Sequence, residues 1–217
     1  MKRKHKIVCI LLVLALFLPL LTACDDHYDT TDLAEYGHIH GNGKKNDKRA
    51  QEDFDTYFPV EIDPTWEDVH YHYHALNDEL SSTMCCEIEL EFVIPDQAAF
   101  DAYVEAVAPI EEFRQFPYDE AFLEYVHNDR EMRIRYDQDE QTGEKLPVFF
   151  DYAHIVETLI APAERRVLIV VLHVSETEYV ENADWFFKRF HIDPIQYALD
   201  MKEVDPQSFW VDKISRR

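Results

Sequence analysis

The chain has 217 residues and a formal net charge of −23, with 44 acidic against 21 basic side chains. That balance argues against nucleic acid as a partner, because such binding rests on Lys and Arg neutralising phosphate. Only one of its four glycines, Gly143, lies beyond residue 50. This excludes from the body of the chain the phosphate-cradling loop, the dinucleotide fingerprint and the nucleophile elbow, which all need glycine at fixed positions.

The first residues form a unit of their own. Lys2, Arg3, Lys4 and Lys6 precede an apolar run from Ile7 to Leu21, broken by Pro19. A cationic start, a short apolar core and small residues before a cut are the parts of a secretory signal. The run is short for a spanning helix, which needs about 20 apolar residues. It ends in Leu21-Thr22-Ala23-Cys24. These four residues resemble the lipobox of bacterial lipoproteins, and the resemblance covers residues 1–24 only. It implies a diacylglycerol on the Cys24 thiol and a cut before Cys24. It also implies a protein held by lipid at the extracytoplasmic face of the cell membrane. Residues 1–23 carry four of the basic side chains and none of the acidic ones, so the remainder stands at −27. Anionic headgroups repel such a domain, and the lipid itself must hold it.

Residues 24–50 read as a lipidated N-terminus and flexible tether. They are polar, hold three of the four glycines and offer little apolar surface to repay ordering. His27, His38 and His40 are a metal-ligating alternative within an otherwise merely polar linker. Residues 51–217 are dense in aliphatic and aromatic side chains and read as a single domain of the α+β class.

Taken in order, Val69 to His74 alternates strictly, with Val69, Tyr71 and Tyr73 on one face and His70, His72 and His74 on the other. Cys86 to Phe92 alternates again, with Glu87, Glu89 and Glu91 expected outward. Pro95-Asp96 starts a helix over about 97–106, and a second helix is expected over about 119–126. Met132, Ile134 and Tyr136 face inward on a strand, with Arg133 and Arg135 outward. Asp139 to Gly143 reads as a hairpin turn, where Gly143 can take positive φ. A faint calcium-loop pattern there lacks the required glycine and final glutamate. A long strand over 148–160 follows, then a turn, then Arg166 to Val174. That stretch is apolar at nearly every position and should be a central strand covered on both faces. Trp185 to Leu199 reads as helical segments packed back on the sheet. Trp185, Phe186 and Phe187 offer a ligand groove as the alternative to core packing. The expectation is a mostly antiparallel sheet of about five strands packed with helices.

Cys85 and Cys86 are neighbours on a strand and point to opposite faces, so one is expected in the core and one exposed. A disulfide between them would need a distorted backbone. His154 and His173 fall in apolar strands as core histidines, while His127 and His191 are expected near helix ends.

One constellation carries chemistry. If the first two strands form a hairpin with Tyr71 opposite Ile88, His72 faces Glu87 and His70 faces Glu89. Imidazole and carboxylate from His70, His72, Glu87 and Glu89 can ligate Zn²⁺, with water completing the shell. The same alternation is also what any solvated sheet face shows. No other cofactor is implied. The mature serines, Ser81, Ser82, Ser175, Ser208 and Ser215, sit in no catalytic motif. Three functions stand in order. The first is a non-catalytic, lipid-anchored domain binding a protein, an envelope polymer or a small ligand. The second is a zinc-binding lipoprotein, and the third an envelope enzyme of unrecognised type.

Overall fold

The computed structural model describes residues 25–39, 48–78, 83–107, 114–115, 122–175 and 185–214. They form one α+β domain around an eight-stranded sheet. Its strands are β1 (Asp25–Thr30), β2 (Glu67–Asp78), β3 (Thr83–Val93), β4 (Arg114–Gln115), β5 (Leu123–Gln138), β6 (Lys145–Ala161), β7 (Arg166–Ser175) and β8 (Phe209–Lys213). The order across the sheet is β1-β2-β3-β7-β6-β5-β4, and β8 pairs with β5. Every pairing is antiparallel except β5 with β8. The helices are α1 (Tyr36–Ile39), α2 (Lys48–Tyr57), α3 (Gln97–Val107), α4 (Trp185–Arg189) and α5 (Pro194–Val204). A short 3₁₀ turn, Leu33–Glu35, precedes α1.

The expected central strand is β7, held between β3 and β6. Its side chains alternate between two cores. Leu168, Val170, Leu172 and Val174 point to one face (face A), which α4, α5 and the turn between them cover with Phe187, Phe190, Ile195 and Tyr197. Val167, Ile169 and Val171 point to the other (face B), covered by Tyr36, Phe54, Phe58 and Phe100. A strand buried on both sides has no solvent face to mark with polar residues, which is why this run reads as continuously apolar. Local signals fix the helix starts. Asp193 caps α5, accepting hydrogen bonds from the Ile195 and Gln196 amides ahead of Pro194 at the first turn. Asp96 accepts from the Ala99 amide at the start of α3. The expected hairpin turn joins β5 to β6, with Gly143 at φ 73° and Asp139 Oδ1 accepting from the Gln141 and Thr142 amides.

The structure corrects several expectations. The sheet has eight strands rather than about five. β1 is one of the additions, because Asp25 to Thr30 pairs with Asp78 to Tyr73. The stretch expected as tether is therefore folded over 25–39, and Tyr36 is buried. Edge pairing needs only backbone, which composition does not report. The helix expected over 119–126 is replaced, from Leu123 onward, by the start of β5, so His127 lies in a strand. Pairing with β6 overrides the local pattern there. β8 was not expected at all. Cys85 and Cys86 do point to opposite faces, yet both are 1 % exposed, because β3 is an interior strand under both cores. Among the described residues no helix is long and apolar enough to cross a membrane.

Candidate functional site

The β2–β3 hairpin places the predicted histidines and glutamates on one face, with a register different from the expected one. His70 opposes Glu91, His72 opposes Glu89 and His74 opposes Glu87. The parity is as expected and the slip is two residues, which leaves every side chain on its face. Residues 79–82, between the two strands, lie outside the described residues.

The second correction is burial. Glu87, Glu89 and Glu91, expected outward, are 4, 4 and 6 % exposed. They sit on face A beside Leu172, Val170 and Leu168 of β7. A buried carboxylate is tolerated only when paired. Arg189, at the C-terminal end of α4, meets both Glu89 and Glu91, the latter through Nη2 at 2.5 Å. Arg166, at the start of β7, donates from Nη1 to the other Glu91 oxygen at 2.7 Å. The Glu91 carboxylate in turn raises the Arg166 pKa above its ordinary value. Three chain segments thus close one charge cluster.

The histidines face a different partner. Asp29 of β1 lies 3.2 Å from His72 Nε2 and 3.7 Å from His74 Nδ1. β1 is therefore fastened to β2 by side chains as well as by its ladder. Between this clasp and Arg189 opens a cleft of about 560 Å³. Its lining includes Thr31, Leu33, His70, His72 and Arg189, together with Glu89 and Glu91.

His70, His72 and Glu89 of the predicted zinc set thus share one cleft, while Glu87 lies further along β3 opposite His74. Among the described residues no group of three His, Cys, Asp or Glu side chains is arranged to hold a metal ion. Of the other expected groups, His27 and His38 fall in β1 and α1, and His40 lies outside the described residues. Phe187 is buried in the face A core. Cys24 also lies outside the described residues.

Two further polar groups are buried. His154 and His173 are core histidines as expected, and His154 Nε2 is 2.5 Å from Asp53 of α2. On face A, Arg130 Nε lies 2.9 Å from Glu157 Oε1, and the Tyr197 hydroxyl donates to the same oxygen at 2.7 Å. Arg189, Arg166 and Asp29 were not found from sequence. Each lies in an unremarkable local pattern and gains its role only through tertiary contact. No family model, curated protein or solved structure matches the chain.

Proposed function

We propose that this chain is a lipid-anchored extracytoplasmic protein whose folded domain binds a partner or ligand and does not catalyse. The observation that carries the anchoring is the cationic start and apolar run ending in Leu21-Thr22-Ala23-Cys24. The observation that supports binding is the cleft beside His70, His72 and Arg189, of a size within the range of roughly 300–1,000 Å³ common for ligand sites. β1 begins at Asp25, the residue after Cys24, so a lipid on Cys24 holds the β1 edge near the membrane. Metabolic labelling of cells with an alkyne fatty acid tests the anchor. The wild-type chain takes the label and partitions into detergent, and Cys24→Ala does neither. A labelled Cys24→Ala chain, or an unlabelled wild type, overturns the anchoring.

A second reading is a divalent-metal site of the zinc type, favoured by the row of three His–Glu pairs across β2 and β3. A melting curve with chelator and then with Zn²⁺ tests it. A bound ion at a hundredfold excess over its dissociation constant adds about 2.7 kcal/mol, and His72→Ala removes the gain. An unchanged melt rejects this reading.

A further inference from the structure

We propose that the cleft binds the carboxylate group of a small, partly apolar monoanion. This deepens the binding reading above and rests on the cleft being the site.

The inference follows from what a ligand in the cleft meets. Glu89 and Glu91 belong to the lining, but they are 4 and 6 % exposed and engaged by Arg189 and Arg166. A ligand therefore does not meet bare carboxylates. It meets Arg189, whose side chain keeps 26 % of its surface exposed, together with the exposed His70 and Thr31, while His72 beside them holds Asp29 through Nε2. A guanidinium only donates hydrogen bonds, and imidazole and hydroxyl groups can both donate. The accessible chemistry is thus that of an acceptor's partner. Carboxylate is the acceptor that matches a guanidinium in shape and charge.

Position strengthens the match. Arg189 is held by two buried carboxylates, so its guanidinium is oriented before any ligand arrives and little rotamer freedom is lost on binding. Charge sets the limit. Arg166 and Arg189 face Glu89 and Glu91, with Asp29 and Glu164 close by, so the surroundings admit at most a single negative charge, and that charge must sit on Arg189. The chain's net charge of −23 acts against ligands carrying many negative charges. Leu33, 41 % exposed, and Val69 give the cleft an apolar side on which a hydrocarbon body can rest.

The test is an NMR titration of the histidine side chains of the full chain with three probes. These are benzoate, its cationic counterpart benzylammonium, and Zn²⁺, each at millimolar concentration. Benzoate is expected to shift the His70 and His72 signals saturably, while benzylammonium leaves them in place. His70→Ala is expected to weaken benzoate about tenfold, the loss of one charge-assisted hydrogen bond. Arg189→Lys keeps a cation over Glu89 and Glu91, so the fold is retained, and it removes the planar fork, so benzoate binding is lost. Shifts with benzylammonium or Zn²⁺ and none with benzoate overturn the carboxylate assignment and leave the cleft as a binding site. Unmoved signals with all three probes overturn the cleft itself. Benzoate binding that survives both substitutions places the ligand elsewhere and also overturns the proposal.

Discussion

The two faces of the sheet are closed in different ways. Face A is covered by the C-terminal helices α4 and α5, with β8 beside them, and its core of aliphatic and phenylalanine side chains has the Arg130–Glu157 ion pair set into it. Face B is covered largely by the chain before β2, and Tyr36, Tyr71 and Tyr73 join the phenylalanine and aliphatic side chains of its core. Tyr36 packs on Phe54 and Tyr71, Phe54 stacks on Phe58, and Trp66 stacks on Phe92 at 3.7 Å between ring centres. The contrast explains where the cleft lies. Arg189 carries the face A cover to Glu89 and Glu91 of β3, and beside it His70 of β2 is exposed. Face B carries Tyr71 and Tyr73 of that same strand, and both are buried beneath aromatic rings. A site forms where the helical layer stops and leaves a charge at its margin.

The sharpest way to break this comparison is through the face A ion pair. Glu157 is fully buried, with Arg130 and Tyr197 on one oxygen. Glu157→Leu leaves the Arg130 guanidinium buried without its counter-charge and should cost about 3–5 kcal/mol in urea unfolding. The double variant Arg130→Met, Glu157→Leu should recover most of that loss, since well-packed apolar residues often replace a buried pair without penalty. A double variant as unstable as the single one would mean that Glu157 acts through Tyr197 and not through charge.

Face B should respond to a cavity instead. Phe54 is fully buried between Tyr36 and Phe58, and Phe54→Ala should cost about 3–5 kcal/mol. Hydrogen exchange separates the faces. If they open independently, amides of α2 lose protection while those of α5 keep theirs. Equal loss in both helices would show that the two faces unfold as one unit.

How much of this was legible depended on what each residue's role rests upon. The central strand β7 announced itself, because burial on both faces leaves a continuous apolar run. The parity of β2 and β3, and the inward Met132 and Ile134, followed from alternation. The register of the hairpin did not, because a period of two cannot distinguish Tyr71 opposite Ile88 from Tyr71 opposite Leu90. Nor did the burial of Glu87, Glu89 and Glu91. Alternating glutamate is the mark of a solvent face unless a cation arrives to pair it, and Arg189 arrives from about a hundred positions away along the chain. β1 was illegible for a third reason. Its contribution is a ladder of backbone hydrogen bonds and the contacts of Asp29 and Tyr28, in a stretch whose composition reads as linker.

A smaller effect tests how far face B depends on polar contact. Asp53 joins α2 to the sheet through His154, across 101 positions of sequence. Asp53→Ala removes this partner of the buried His154 ring and should cost about 1–3 kcal/mol. A loss well below that range would mean that the aromatic contacts alone seat α2. The measurement is the same urea unfolding, set against Phe54→Ala, and the cavity should be the costlier change.

The smallest expected effect is a pH dependence that belongs to one side of the molecule. Burial pushes the Tyr28 hydroxyl up to about 12, helped by its hydrogen bond to Glu35. Burial also raises the pKa of Tyr36, Tyr71, Tyr73 and Tyr103. All five belong to the face B core or its margin. For a group whose pKa is raised by folding, the stabilising contribution is full below the unfolded value, which for tyrosine is about 10. It declines as pH rises from there, and for Tyr28 it is spent once pH passes about 12. Stability should therefore fall with alkali from about pH 10, and the amides of β1 and α2 should lose protection before those of α5. Tyr28→Phe removes one ionising group and the Glu35 hydrogen bond together. That variant should be slightly less stable at neutral pH and should lose less on going to alkali than the wild type does. Alkaline loss that begins in α5, or a Tyr28→Phe profile parallel to the wild type's, would show that the tyrosine layer does not set the alkaline limit of face B.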